Sequence, residues 1–323
     1  MLVVGPNLSV DQTVAVPRVR LGAIHRVPVI LRLAGGKGTN LARALRTLGE
    51  DPVLCGFAGG PTGAAYTAYL RQEGIRHQLV TTRADTRVCF SIVDDASGAQ
   101  TEFYEAGMPV TAAEAAELVA LAEAGMARLA EIASAAGYGW VALTGSLPPG
   151  APTDLYARLI VSAHRFGLRA LLDAREPALG PAIAAAPDVL KINQNELATW
   201  AQHPLADPLA VADAATLALA GRAGACAVIT LGAGGAVAVA ADRRWRILPP
   251  ADIAAKVRSP VGSGDSAAAG LLVGLRRALA LPEAARLAVA AGTANASHLG
   301  AGRFAAADVD ALLPRCAVTA LEA

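Results

Sequence analysis

Two glycine-rich segments place charged side chains where a helix is predicted to begin. Residues 34–40 read AGGKGTN and residues 260–266 read PVGSGDS, and an apolar helical pattern follows each. Glycine lets backbone approach a ligand closely, and a helix start offers unpaired N–H groups and a positive dipole end. Lys37 adds a cation and Asn40 a hydrogen-bonding amide. Both segments therefore predict anion sites, although a tight turn with a solvated lysine also explains the first one.

The second segment also contains a carboxylate, Asp265. Aspartate is a common helix cap, and in that role Asp265 would need no catalytic explanation. As a general base it could take a proton from a hydroxyl that attacks a phosphoryl group, while the amides of Gly262, Ser263 and Gly264 form an anion hole. Residues 262–267 also fit the dinucleotide pattern G-x-G-x-x-A, which requires an acidic residue about 20 positions later at a strand end. The nearest candidate, Glu283, lies in a helical pattern.

Two further segments follow predicted strands. Residues 230–236 could place bare backbone against a nucleotide base or phosphate, or could form an ordinary glycine hairpin. In residues 191–196, Asn193 and Glu196 offer an oxygen pair three residues apart. Oxygen ligands suit Mg²⁺, but a solvated helix start would explain the same residues.

Composition excludes several classes of protein. The 323 residues include 54% hydrophobic residues and carry a net charge of +1, so no charged surface is predicted to attract nucleic acid or a membrane. The four cysteines are far apart, which argues against a zinc knuckle or a disulfide framework. The uncharged stretch 223–241 is interrupted by glycines and predicts two strands and a turn, not a membrane span. We expect a cytoplasmic protein.

The order of elements predicts an α/β fold with a mainly parallel sheet covered on both faces. Buried strands are predicted at 53–57, 140–143, 170–173, 189–192 and 227–230, and helices at 39–48, 112–135, 153–166 and 265–279. Residues 11–33 and 86–104 are β-rich without a helix and are predicted to pair as a small antiparallel lid. One domain, 1–323, is expected.

Taken together, these segments resemble the ribokinase/PfkB family of sugar kinases, in particular its phosphosugar branch of 1-phosphofructokinases and tagatose-6-phosphate kinases. The resemblance implies a ribokinase-like three-layer α/β/α fold with a β-sheet lid. It rests on seven segments in the family's order: Asn7–Asp11, Ala34–Asn40, Thr86–Arg87, Thr144–Gly150, Lys191–Glu196, Thr230–Ala236 and Pro260–Ser266.

The resemblance also implies roles for individual residues. Asp265 would be the catalytic base, with the amides of Gly262, Ser263 and Gly264 as the anion hole. It implies ATP and Mg²⁺, with Mg²⁺ held by Glu196 and Asn193 through water, and a homodimer formed by the lid strands. The sugar hydroxyls would contact Asp11, Gly35, Gly36 and Asn40, the existing phosphate Lys37, Arg87 and Arg26, and the nucleotide Lys191, Asn193, Glu196, Thr230, Gly232, Gly235 and Asn295.

The chain departs from the family pattern at three places, of which only the third, near the expected cleft, bears on the identity of the sugar. Leu8 and Ile192 replace prolines, and residues 172–176 read LDARE in place of a usual Asp-x-Ser-Gly. We predict ATP-dependent phosphorylation of a phosphorylated ketohexose: fructose 1-phosphate, tagatose 6-phosphate or fructose 6-phosphate. A kinase for an unphosphorylated sugar or a nucleoside is the alternative. A dinucleotide-dependent oxidoreductase and a non-enzymatic sugar-phosphate sensor are more distant ones.

Overall fold

A ten-stranded sheet forms the centre of the computed structural model, which describes residues 1–107, 109–133, 139–220, 222–241 and 243–322. The sheet contains every strand outside the lid. Its members are β1 (Leu2–Val4), β4 (Val53–Gly59), β5 (Arg76–Thr82), β8 (Trp140–Thr144), β9 (Arg169–Asp173), β10 (Val189–Asn193), β11 (Cys226–Thr230), β12 (Ala236–Ala240), β13 (Arg243–Leu248) and β14 (Ala317–Ala320). The five strands predicted from apolar runs are confirmed.

Ten helices lie in the described part of the chain and cover both faces of the sheet. They are α1 (Lys37–Thr47), α2 (Gly60–Gln72), α3 (Ala112–Ala133), α4 (Leu155–Arg165), α5 (Leu179–Ala184), α6 (Gln194–Ala201), α7 (Pro208–Ala218), α8 (Ser263–Arg276), α9 (Leu281–Ala296) and α10 (Ala306–Leu312). Apolar residues of α1, α8 and α9 pack on one face, and those of α3 to α7 on the other. The predicted α/β class is confirmed. Residues 134 and 135, predicted to end the third helix, lie outside the described residues.

The strand order is β14-β13-β12-β11-β10-β9-β8-β1-β4-β5. Strands from β11 to β5 run parallel, and β12 to β14 are antiparallel. Thr144 pairs with Asp173, and Asn193 pairs with Thr230, so these strand-end residues line one edge. Because parallel strands end at the same edge, the loops that follow them collect there.

The lid is a separate four-stranded sheet in the order β3-β2-β6-β7. Its strands are β2 (Ser9–Val16), β3 (Val29–Gly35), β6 (Arg87–Asp94) and β7 (Gln100–Tyr104). The prediction of an entirely antiparallel lid is wrong, because β2 pairs with β6 in parallel. Between β2 and β6 the chain leaves the lid and passes through β4, α2 and β5 of the main body. It therefore re-enters the lid at β6 from the same end at which β2 starts.

Residues 223–241 do not form a helix. They contain β11, a turn and β12, which pair antiparallel, as the glycines in the middle of the stretch predict. Among the described residues, no helix has both the length and the apolar character needed to cross a membrane.

Candidate active site

Asp265 lies in the first turn of α8, at the edge where the parallel strands end. Gly262 precedes the helix with φ 80°, a left-handed conformation that favours glycine. Asp265 is 5% exposed, and its Oδ2 accepts a hydrogen bond of 2.8 Å from the side-chain amide of Asn40. The pKa of Asp265 is raised to about 6; desolvation is the largest cause and the nearby Asp173 adds to it, while Lys37, Asn40 and Lys191 act in the opposite direction. A buried carboxylate with this pKa is ionised at neutral pH and can still accept a proton.

The backbone before Asp265 offers donors to an anion. The N–H of Ser263 donates to Pro260 O at 3.2 Å. The N–H groups of Gly262 and Gly264 have no acceptor in the described part of the chain. Two of the three predicted amides are therefore available, next to the carboxylate.

Asn295 holds this loop in place. Its side chain is fully buried, and its amide donates to Val261 O at 2.8 Å and Ser263 Oγ at 3.2 Å. Its carbonyl oxygen accepts from the Gly302 N–H at 2.7 Å and from Ser266 Oγ at 3.2 Å. Both polar atoms of the Asn295 side chain, Nδ2 and Oδ1, bond to other protein atoms. The predicted contact between Asn295 and the nucleotide stays a prediction. The structure gives Asn295 a positioning role.

Three side chains of alternating charge, Lys37, Asp173 and Lys191, are joined by ion pairs in the site. Lys37 Nζ donates to Asp173 Oδ1 at 2.7 Å, and Lys191 Nζ donates to Asp173 Oδ2 at 2.9 Å. Asp173 is fully buried; desolvation acts to raise its pKa, but the two lysines hold it below its usual value. For Lys37, desolvation acts to lower the pKa, but Asp173, Glu196 and Asp265 raise it, so the ammonium stays charged.

Asp173 was not predicted as a site residue, although the departure at 172–176 pointed to this strand end. It keeps two lysines together in one cleft, which like-charge repulsion would otherwise oppose. Lys191 Nζ also lies close to Gly264, 3.2 Å from where a Cβ of that residue would be. One of the two lysines therefore reaches the predicted anion hole.

The oxygen pair Asn193 and Glu196 forms a capping box at the start of α6. Asn193 Oδ1 accepts from the Glu196 N–H, and Glu196 Oε2 accepts from the Asn193 N–H, both at 2.9 Å. Glu196 Oε1 lies 3.6 Å from Lys37 Nζ. In the described residues no group of three or more His, Cys, Asp or Glu side chains could hold a metal. These oxygens fit Mg²⁺ held through its waters, a mode that this ion commonly adopts.

The predicted nucleotide segment forms the turn between β11 and β12. Gly232 and Gly235 have φ of 59° and 81°. A Cβ on Gly235 would overlap Ile247 O, so the turn requires glycine there. Thr230 ends β11 next to Asn193. Glu283 lies in the first turn of α9, not at a strand end, and the dinucleotide alternative therefore lacks its acidic partner.

Asp11 faces the first glycine-rich segment from lid strand β2. A Cβ on Gly35 would overlap the Asp11 carboxylate, and one on Gly36 would lie 2.9 Å from Asn7 O. Ser9 Oγ donates to Asp11 Oδ1 at 2.6 Å. Desolvation raises the pKa of Asp11, while Ser9, Arg43 and Arg87 lower it.

A small cavity of about 30 Å³ shows that the lid and the α8 loop face each other. Asp11 and Tyr104 line it from the lid, and Val261 and Ala301 line it from the main body. Asp11 therefore faces the segment that leads into α8 across one cleft.

The structure brings Arg87 into the site but not Arg26. Arg87 Nη1 and Nη2 donate to Glu105 O at 2.9 Å and Asn7 O at 3.1 Å, and its buried Nε has no partner among the described residues. Arg26 is exposed in the irregular segment 17–28, and the described contacts do not join it to the other site residues. Asn7 also donates to Ser146 Oγ at 3.0 Å.

Arg43 was missed because its place on α1 is typical of a solvated cation. It is 8% exposed, pairs with Glu73, and donates to Asn40 Oδ1 at 3.2 Å and Ala301 O at 2.7 Å. Arg43 therefore supports Asn40, which in turn bonds to Asp265. Ala301 is far away in sequence, so no local pattern could have indicated this contact.

Comparison with known proteins finds kinases that are similar to this chain. The family model described as pfkB family carbohydrate kinase matches residues 7–307. A 1-phosphofructokinase of Rhodobacter capsulatus is 37% identical over 284 residues, 88% of this chain and 86% of that protein. A 1-phosphofructokinase of Xanthomonas campestris pv. campestris is 34% identical, with 88% of this chain and 87% of that protein covered.

Among solved structures, the phosphofructokinase-2 of Escherichia coli in complex with fructose-6-phosphate superimposes with a TM-score of 0.84. It is 27% identical, and the match covers 97% of this chain and 98% of that one. The same enzyme in complex with potassium gives a TM-score of 0.85 at 26% identity, with the same coverage. The likeness extends over both the main sheet and the lid.

Proposed function

The chain belongs to the pfkB family of carbohydrate kinases, and from this premise we propose that it transfers the γ-phosphoryl group of ATP to a hydroxyl of fructose 1-phosphate. The observation that carries the proposal is the buried carboxylate of Asp265, which lies at a helix start beside two unpaired N–H groups. Two 1-phosphofructokinases more than 30% identical to this chain support the choice of substrate.

The transfer step follows from the charges in the cleft. Asp265 accepts the proton of the attacking hydroxyl as its oxygen forms a bond to the γ-phosphorus of ATP, and the bond to the bridging oxygen breaks to release ADP. The Gly262 and Gly264 amides and Lys191 stabilise the charge on the transferring group. Such a site acts mainly by positioning and electrostatics.

ATP and Mg²⁺ belong to the proposal. Mg²⁺ would neutralise phosphate charge, and Glu196 and Asn193 would contact its waters. Lys191, Thr230 and the glycines of the β11–β12 turn would hold the nucleotide. Because Glu196 Oε1 lies near Lys37, the same carboxylate links the nucleotide side to the acceptor side.

The phosphate that the acceptor sugar already carries accounts for two cations on the acceptor side of the cleft, Arg87 and Lys37. Arg87 has an unpaired buried Nε, and arginine binds phosphate through several parallel hydrogen bonds. Lys37 adds a second charge, with its side chain 35% exposed. Asp11 and Asn40 would orient the sugar hydroxyls. An unphosphorylated sugar would offer no anion to Arg87.

Fructose 6-phosphate is the second candidate, because a structural relative was solved with that sugar phosphate. A coupled assay that measures ADP release with fructose 1-phosphate, fructose 6-phosphate, tagatose 6-phosphate and fructose distinguishes these substrates. We expect the highest kcat/KM for fructose 1-phosphate and the lowest for fructose. Equal kcat/KM values for fructose and the phosphosugars would contradict the proposal.

We further propose that a second copy of the chain covers the lid. Phe103 and Tyr104 on β7 are 58% and 52% exposed, and Val29 and Ile30 on β3 are also exposed. These strands form the two edges of the lid sheet. Open edges and exposed apolar side chains favour pairing with another strand or sheet, and a lid from a second copy would cover both.

A further inference from the structure

A second cavity lies behind the loop that carries residues 298–303, on the side away from the lid. Its volume is about 560 Å³ and it opens to solvent. The residues that give it a chemical character are Arg258, His298, Leu299, Arg303 and Phe304. Cavities of this size hold small organic ligands in many proteins.

The cavity has excess positive charge. The guanidinium groups of Arg258 and Arg303 make no hydrogen bond or ion pair with any residue in the described ranges, and both residues are exposed. The other two nitrogen-bearing side chains have acidic partners: His298 Nε2 lies 2.9 Å from Asp308 Oδ2, and Arg43 pairs with Glu73. Two unpaired arginines at one cavity provide the parallel donors that phosphate groups require.

The remaining wall is apolar. Leu299 and Phe304 line the same cavity, and Phe304 is half-buried against the apolar core. An aromatic ring beside two guanidinium groups suits a ligand with a ring-bearing body and at least one phosphate. Inorganic phosphate alone would leave the apolar wall uncovered.

Hydrogen bonds connect the wall of this cavity to the catalytic residues. Arg43 forms part of its wall and donates to Asn40 Oδ1, while Asn40 donates to Asp265. The loop itself separates this cavity from the smaller one beside Asp11, since Leu299 lines both.

The 298–303 loop beside the cavity also lies against the lid. A Cβ on Gly300 would lie 2.8 Å from the Leu31 side chain on β3 and 3.0 Å from Arg303 Cδ. The stem of Arg303 and the Leu31 side chain of the lid therefore both lie close to the position that a Cβ of Gly300 would take. A ligand that orders Arg303 would restrict the loop against the lid.

We propose that this cavity is a second binding site for an organic phosphate, separate from the acceptor and nucleotide sites, and that its occupancy changes catalysis through Arg43 and the 298–303 loop. The ligand would be a phosphate ester with a ring-bearing body, and either a nucleoside monophosphate or a sugar bisphosphate has this chemistry.

Calorimetric titration of the full chain tests binding. The active site is first saturated with a non-hydrolysable ATP analogue and fructose 1-phosphate, and the probes are AMP, fructose 1,6-bisphosphate and, as the phosphate-free control, adenosine. We expect at least one phosphate ester to bind and adenosine not to bind. The Arg258→Ala/Arg303→Ala variant should weaken binding at least about 10-fold, because two charged contacts are lost.

The matched control is Arg128→Ala/Arg165→Ala, which removes two exposed arginines from α3 and α4 on the opposite face of the sheet. It should bind the probe as the unmodified chain does. If the blocked enzyme binds neither phosphate ester, or if both double variants bind equally well, the proposed site does not exist. These results do not depend on turnover, so they are distinct from a failure of the proposed kinase activity.

Kinetics test the coupling. The bound probe should change kcat/KM by about 5-fold or more in the unmodified chain and in the control variant, but not in Arg258→Ala/Arg303→Ala. An equal change in both double variants would show that the probe acts at the active site, and no change in any of them would refute the coupling.

Discussion

Replacing the carboxylate of Asp265 by an amide should abolish most activity and yet stabilise the protein. Asp265→Asn keeps the size of the side chain and can still accept the hydrogen bond from Asn40. It cannot take up a proton, so kcat should fall roughly 10²–10⁴-fold, the usual contribution of a positioned base. KM for both substrates should change little.

The stability effect follows from the pKa of Asp265. Burial raises it from 3.8 to about 6, so the folded state binds the proton more tightly than the unfolded state does. The associated stability is fully present below pH 3.8 and is lost as the pH rises through 6. By linkage, the ionised carboxylate costs about 3 kcal/mol at pH 8 and about half of that at pH 5. Asparagine carries no charge and avoids this cost.

Two assays check these expectations. Steady-state ADP release with fructose 1-phosphate gives kcat and KM, and urea denaturation at pH 5 and pH 8 gives the free energy of unfolding. The unmodified enzyme should lose kcat/KM about tenfold per pH unit below pH 6. Turnover of Asp265→Asn within a few-fold of the unmodified enzyme, at unchanged KM, would refute the assignment of Asp265 as the base.

Three further changes test other parts of the site. Asp173→Asn removes the ion-pair partner of the buried Lys191 and leaves Lys37 with the more distant Glu196, so urea denaturation should show a loss of about 3–5 kcal/mol in stability; an unchanged midpoint would contradict the role of these ion pairs. Arg87→Ala removes a charged hydrogen bond worth about 1.5–3 kcal/mol, so KM for fructose 1-phosphate should rise at least about 10-fold while KM for ATP stays the same; equal rises would contradict its role. Phe103→Glu places a charge on the apolar lid face and should shift the chain to monomer in size-exclusion chromatography with light scattering, whereas an unaltered mass would show that the lid is not the interface.

Much of the fold could be predicted because local patterns determine it. Apolar runs of four or five residues predicted the buried strands, and the glycines of 34–40 and 260–266 marked turns that lead into helices. Both segments do precede helices, and Asp265 and Asn40 prove to be hydrogen-bonded partners. Here the requirement for glycine is local and visible in the sequence.

The parts that were missed depend on contacts between distant residues. Asp173 is a strand-end aspartate whose significance lies in two lysines from other elements. Arg43 is on a helix, and its buried guanidinium contacts Glu73 and Ala301, which are far away in sequence. The positioning role of Asn295 was not predicted either, because its partners are Val261, Ser263 and Ser266 at the start of α8 and Gly302 after α9. The parallel pairing of β2 and β6 likewise depends on the path of the chain between them.

One interior strand of the main sheet, the third from the β5 edge, has only three residues. β1 (Leu2–Val4) joins β4 on one side and β8 on the other. The β4 side leads to the lid and the phosphosugar cations, and the β8 side leads to Asp173 and the nucleotide turn. A slip of one residue along β1 would move one half by about 3.3 Å relative to the other, more than in-line transfer tolerates. The pairing of β1 with β4 and β8 therefore sets the distance between the phosphoryl donor and the acceptor sugar.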